Sequence, residues 1–146
     1  MDAMCSSGIS ALHLGKLSLR SMEADAALIG AVNLIPNSRT TLALHNAGIL
    51  SINGQVTPWS DSATGYVRGE AAAFLLLKPL CMCTTTELKS HVYATILGSA
   101  VSQSGERRGY SFPSRSAMAA NMTRALEDAR YALSIWILGS RGCSAV

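Results

Sequence analysis

Asp2-Ala3-Met4-Cys5-Ser6-Ser7-Gly8 places a cysteine just ahead of a small, polar run that opens a helix. The spacing predicts that helix over about residues 6–22. Its apolar positions, Ile9, Leu12, Leu14, Leu17, Leu19 and Met22 with Ala11 between them, cover more than one narrow stripe. The helix is therefore expected to be buried on most sides. A cysteine at the N-terminus of such a helix feels the positive end of the macrodipole and lies near backbone N–H groups that have no intrahelical partner. Both effects stabilise a thiolate, the nucleophilic form. Cys5 is the candidate nucleophile, and the local pattern leaves open a buried structural thiol.

Outward from this helix, residues 24–35 form a short, nearly continuous apolar run closed by Pro36. It predicts a strand buried on both faces, as in a sheet covered by helices. Asn37 or Ser38 is placed to cap a short helix through Asn46, with Gly48 as its stop. Ser51-Ile52-Asn53-Gly54 is turn chemistry, and residues 57–64 read as a polar loop. Residues 71–77 predict a second buried strand, closed by Pro79, and 81–90 a linker without helical or strand period. A further strand is expected over 91–101, followed by a Ser/Gly-rich loop over 102–113. From Ser114 the period becomes helical to about Tyr131, capped by Ser114 or Ser116. Met118, Met122, Ala125, Leu126 and Ala129 are expected on its inner face, with Asn121, Arg124, Glu127 and Asp128 outside. The order helix, strand, helix, strand, linker, strand, helix implies an α/β layered core.

Composition narrows the function classes. The 146 residues suffice for one modest domain, and 49% hydrophobic against 14% charged residues excludes a disordered polar segment. The 12 basic and 9 acidic residues are scattered, so the net charge of +3 forms no basic patch of the kind nucleic acid needs. Four cysteines are too few for a dense disulfide framework, and Cys81-Met82-Cys83 without a second ligand pair makes no metal site. No secretory leader and no apolar run long enough for a membrane span stand out, so a reducing, cytoplasmic setting is the expectation.

The Asp-Ala-Met-Cys-Ser-Ser run, followed by Ala11-Leu12-His13-Leu14 and Ser18-Leu19-Arg20, resembles the active-site segment of β-ketoacyl synthases. It looks most like the ketosynthase domains of modular type I polyketide synthases, where Asp-Thr-Ala-Cys-Ser-Ser-Ser is common. Four further segments are similar to that family in the same order: Gly30-Ala31-Val32-Asn33, Ala47-Gly48-Ile49-Leu50-Ser51, Gly65-Tyr66-Val67-Arg68-Gly69-Glu70 with Leu77-Lys78-Pro79-Leu80, and Gly98-Ser99-Ala100-Val101. The resemblance spans about residues 2–131 and departs from the family's usual residues at Ala3, Met4, Gly8, Ser60, Thr64, Ala71, Ser102, Ser104 and Arg108.

The resemblance implies an α/β fold, the central part of the thiolase-like αβαβα arrangement with both ends missing. Residues 1–80 would be the end of the N-terminal ketosynthase half, 81–131 the start of the C-terminal half, and 132–146 a divergent tail. It implies a decarboxylative Claisen condensation of acyl and malonyl-type thioesters in polyketide or fatty acid biosynthesis, with Cys5 as the acyl-accepting nucleophile. Substrates would arrive on the phosphopantetheine of an acyl carrier protein, with no cofactor or metal bound directly and a homodimer for the intact domain. The family's two histidine motifs have no match here. His13 is expected to be a structural histidine, and neither His45 nor His91 matches a catalytic position. The chain alone is therefore expected not to condense. A catalytically inactive α/β fragment, a pseudogene product or a partner-binding subunit, is the alternative. A free-standing cysteine hydrolase would need a histidine base beside Cys5.

Overall fold

The computed structural model describes residues 1–83, 92–105 and 113–137. A 3₁₀ turn at Met4–Ser6 leads into α1 (Ser7–Arg20), followed by β1 (Ala27–Asn33), α2 (Arg39–Asn46) and β2 (Ala71–Leu77). A second 3₁₀ turn at Leu80–Cys83 precedes α3 (Arg115–Ile137). The chain divides into two compact units, Met1–Ile29 with Phe74–Val146, and Gly30–Ala73.

Helix ends follow local chemistry. The α1 helix stops where Met22 takes a left-handed φ of 58°. The Glu23 N–H then reaches the Ser18 carbonyl at 3.0 Å and the Met22 N–H the Leu19 carbonyl at 3.3 Å, which satisfies two carbonyls the helix would otherwise orphan. The α2 helix ends the same way, with Gly48 at φ 67° and Ile49 and Gly48 donating to Leu44 and His45. The Asn37 side chain accepts from the Arg39 N–H at 3.0 Å at its start. At α3 it is Ser114 that caps, its Oγ accepting from the Ala117 N–H at 3.4 Å.

β1 and β2 pair as a two-stranded sheet. Ala27 and Ile29 pack with Leu77, whereas Asn33 bonds to Gly69, so the strands run in opposite directions. In the first unit, Leu19 of α1 and Leu77 of β2 form the buried centre, with Leu12, Ala24, Ala27, Ile29 and Ile96 around them. Gly15 lets α1 approach the sheet: a Cβ there would lie 2.5 Å from Ile29 Cδ1. In the second unit, Gly65 sits against residues 49–51, where a Cβ would meet the Ser51 nitrogen at 2.7 Å, and Leu50 and Tyr66 form a parallel bridge.

Four expectations are corrected. Neither strand is buried on both faces: only Ala27 and Ile29 of β1 are even half-buried, and Leu77 alone of β2 is buried, because one layer of helix covers one end of the sheet among the described residues. The α1 helix buries only Gly15, Lys16 and Leu19, and Ile9 is 66% exposed. Residues 92–105 form no strand, since no partner strand among the described residues completes a ladder. Cys81 to Cys83 lie in the 3₁₀ turn, where the Met82 N–H reaches the Pro79 carbonyl at 2.9 Å. The expected loop segment 106–112, the linker residues 84–90, His91 and the tail from 138 lie outside the described residues.

The inner face of α3 is also corrected. Met118, Met122 and Leu126 are exposed, and Ala117, Asn121, Ala125, Asp128 and Ala129 turn inward. Gly98 explains the exchange, because a Cβ there would stand 2.6 Å from the Ala129 nitrogen and collide with the Ala125 carbonyl. The backbone of 98–100 lies directly on α3, so small residues must face it and polar ones must serve its amides. Asn121 donates to the Ala100 carbonyl at 3.4 Å, and Asp128 accepts from the Ser99 N–H at 2.9 Å.

Asp128 joins three parts of the first unit. It pairs with Lys16, whose side chain is 1% exposed, and at 2.5 Å with Arg20. Burial opposes its charge and is the largest single influence, but Lys16, the Ser99 N–H and Arg20 together outweigh it and lower the carboxyl from 3.8 to about 2. A depressed carboxyl contributes stability above its unfolded value, and that stability is lost as pH falls through the folded one. The shift corresponds to about 2 kcal/mol at neutral pH, lost between roughly pH 4 and pH 2. Asp128→Asn is expected to cost about 3–5 kcal/mol at pH 7, because it strands Lys16. In urea unfolding, the variant's stability should fall less steeply than the parent's below pH 4, and parallel profiles would sink this assignment.

Candidate nucleophile loop

Cys5 sits in the 3₁₀ turn one residue before the N-cap of α1, and its side chain is exposed. Residues 2–7 brace one another. The Asp2 carboxylate accepts from the Met4 N–H at 3.0 Å. Ser7 Oγ accepts from the Ala3 N–H at 2.8 Å and donates to the Met4 carbonyl at 2.7 Å. The Ala3 carbonyl in turn takes the Ser6 hydroxyl at 2.7 Å and the Ser6 N–H at 3.2 Å. These bonds hold Met4 at φ 52°, a left-handed conformation that an unbranched residue adopts at a cost of about 1–2 kcal/mol.

Bracing the loop has an electrostatic consequence. Ser6 is the N-cap of α1, yet its side chain makes no bond to the helix, and no acidic residue stands in the first turn. An acidic group does stand just outside the helix, the Asp2 carboxylate on the Met4 N–H.

The three histidines resolve differently. His13 is eight residues beyond Cys5, about 12 Å along the helix axis. Its Nδ1 is engaged with Ser99 Oγ at 2.9 Å. His45 stands in the last turn of α2, in the other unit, and His91 is outside the described residues. Cys83 carries a second free thiol and is half-buried. The remaining motif residues are scaffold. Asn33 donates to the Gly69 carbonyl at 2.5 Å, Glu70 accepts from the Ile35 N–H at 2.5 Å, and Arg68 donates to Thr41 Oγ1 at 2.6 Å. The inward Asn121 and Asp128 and the buried Lys16 were not legible as a cluster, because they lie on two helices more than 100 residues apart in sequence.

A family model for the β-ketoacyl synthase N-terminal domain matches residues 1–81, more than half of the chain. The chain belongs to the β-ketoacyl synthase family. It is 38% identical over 130 residues to the Cluster 41 polyketide synthase of Aspergillus flavus, covering 89% of this chain and 11% of that protein. It is 35% identical over 130 residues to polyketide synthase PksL of Bacillus subtilis, covering 89% of this chain and 3% of that protein. The ketosynthase from module 6 of the bacillaene synthase of Bacillus subtilis superposes with a TM-score of 0.78 at 33% identity, over 84% of this chain and 22% of its own. The oxazolomycin ketosynthase domain OzmH KS7 of Streptomyces albus gives 0.78 at 30% identity, over 89% and 23%. The fold is thus a portion of the thiolase-like ketosynthase fold. No helix among the described residues is long and apolar enough to cross a membrane.

The left-handed Met4 yields a test of the ketosynthase loop. Met4→Val, β-branched and intolerant of positive φ, should lower stability by about 1–2 kcal/mol, whereas Met4→Asn should cost little. Chemical denaturation measures both, and equal costs would show that the positive φ is not maintained.

Proposed function

We propose that this chain supplies the nucleophile of a β-ketoacyl synthase, with Cys5 taking an acyl group from the phosphopantetheine thiol of an acyl carrier protein. The observation that carries the reading is the placement of an exposed Cys5, on a braced turn, one residue before an N-cap, Ser6, whose side chain makes no bond to the helix. The Cys5 thiolate attacks the acyl thioester, the new carbon–sulfur bond forms, and the carrier thiolate leaves and is protonated. The Cys5 backbone N–H is a donor for the oxyanion. In the complete domain, a malonyl-type thioester then loses carbon dioxide. Its carbanion attacks the Cys5 thioester, makes the carbon–carbon bond and releases the Cys5 thiolate. Polyketide assembly is the setting, in keeping with the relatives, and the soluble cell interior the place.

A partner-dependent role is favoured by a specific observation. Leu28, Val32, Phe74, Leu75 and Leu76 of the sheet are all more than half exposed. Apolar strand faces of this kind are stable when further polypeptide covers them. The relevant partner is the remainder of a ketosynthase domain, including its histidines and its dimer mate. No described histidine is placed to assist decarboxylation beside Cys5, so the chain by itself is expected to stop at the acyl-enzyme.

Alkylation by iodoacetamide, followed by peptide mass spectrometry, tests the nucleophile. Cys5 should react about tenfold faster at neutral pH than Cys83 and than glutathione in the same tube. Equal rates would favour the catalytically inactive reading. In a companion assay, incubation with an acyl carrier protein loaded as its thioester should add the acyl mass to the Cys5 peptide and to none in Cys5→Ala. Labelled malonyl carrier should release no carbon dioxide above the level of Cys5→Ala, and a Cys5-dependent release would overturn the partner-dependent reading.

A further inference from the structure

We infer that His13 is held as its neutral Nε2–H tautomer by a hydrogen-bond chain running from Asp128 through Lys16 and Ser99, with Lys16 the positioning residue that sets the direction of that chain. The Lys16 ammonium donates and never accepts. It is bonded to the Asp128 carboxylate and lies 3.3 Å from Ser99 Oγ. One lone pair of Ser99 therefore faces Lys16. The Ser99 proton must go elsewhere, and among the described residues the acceptor within reach is His13 Nδ1 at 2.9 Å. An imidazole whose Nδ1 accepts carries its proton on Nε2. The opposite tautomer would give Ser99 two incoming donors and leave its own proton without a partner. The Ser99 backbone is held in the same network, its N–H donating to the Asp128 carboxylate at 2.9 Å.

The arrangement assigns a role to a lysine that a merely structural reading leaves unexplained. Lys16 is 1% exposed on a helix whose other inward residues are Gly15 and Leu19, and a methionine would fill the same space without needing a counter-ion. What an ammonium adds is direction: donor at Lys16, hydroxyl relay at Ser99, acceptor at His13. His13 then presents only an N–H donor at its free nitrogen. It cannot serve as a base unless the Ser99 bond breaks, so Cys5 acts without it. That last consequence rests on the reading of Cys5 as nucleophile, whereas the tautomer does not.

The test is a long-range ¹⁵N–¹H correlation spectrum of the whole chain labelled at histidine, with the His13 signals identified by their loss in His13→Gln. At neutral pH the Nδ1 of His13 should resonate as an unprotonated, pyridine-type nitrogen and Nε2 as a protonated, pyrrole-type one. The reversed pattern, or two protonated nitrogens, would overturn the inference. In Lys16→Met the two signals should move toward an average as the tautomers exchange. An unchanged spectrum in that variant removes Lys16 from the role, and Ser99→Ala gives the same readout should Lys16→Met fail to fold. His13→Gln should leave the Cys5 alkylation rate within twofold of the parent, and a tenfold fall would make His13 the base and overturn the consequence drawn for Cys5. A parent Cys5 no faster than glutathione would count against the nucleophile while leaving the tautomer standing.

Discussion

The carboxylate of Asp128 is the constraint on which the larger unit depends. It is bound at once by Lys16 and Arg20 of α1 and by the Ser99 amide, so one side chain of α3 fixes a helix and an extended segment together. The apolar centre beside it is small, with Leu19 and Leu77 as its buried members. Hydrophobic burial on that scale leaves the choice among packings weakly determined. A charged network with fixed partners can select one of them, because each alternative would strand a buried ammonium or a carboxylate at several kcal/mol. The network also anchors α1, the helix that follows the Cys5 turn.

Backbone proximity is the second organising feature. Gly98 against α3, Gly15 against β1 and Gly65 against residues 49–51 each stand where a side chain has no room. Such contacts bring backbone amides and carbonyls close to a neighbour that must satisfy them, which is why polar residues line them. Asn121 and Asp128 serve the 98–100 segment, while in the Gly30–Ala73 unit Asn33 and Glu70 bond the backbone of residues 69 and 35. The ketosynthase motifs around Asn33 and Glu70 therefore act here as joints between chain segments.

Much of the local structure was legible because it is local. Gly48 ending α2, Pro36 closing the first apolar run, and residues 71–77 as a strand depend on neighbours within a few positions. The α1 stop was not, since Met22 in a left-handed conformation has no compositional signal. Burial was misjudged for a different reason. An apolar run reports what a strand needs, whereas exposure depends on whether another layer lies over it, and Phe74 and Leu76 have none among the described residues. The α3 face failed on the same ground. Hydropathy favoured Met118, Met122 and Leu126, but a glycine on the opposing segment selected alanines and polar side chains instead. The placement of Cys5 just ahead of a helix was legible from its motif, while the Lys16, Ser99, His13 and Asp128 chain spans 112 residues between its acid and its lysine and leaves no periodic trace.

The braced turn at residues 2–7 shows why the nucleophile loop is built from serines. A hydroxyl that both donates and accepts can close a turn on itself, as Ser7 does between Ala3 and Met4, and a turn closed that way does not draw on the helix behind it. Had Ser6 capped α1 in the usual manner, its oxygen would have taken the amides that give the helix end its positive field. By placing the Ser6 hydroxyl on the Ala3 carbonyl, the loop gains rigidity and keeps that oxygen off the amides of α1. The Met4 strain is the cost of the geometry, offset by the hydrogen bonds among residues 2–7.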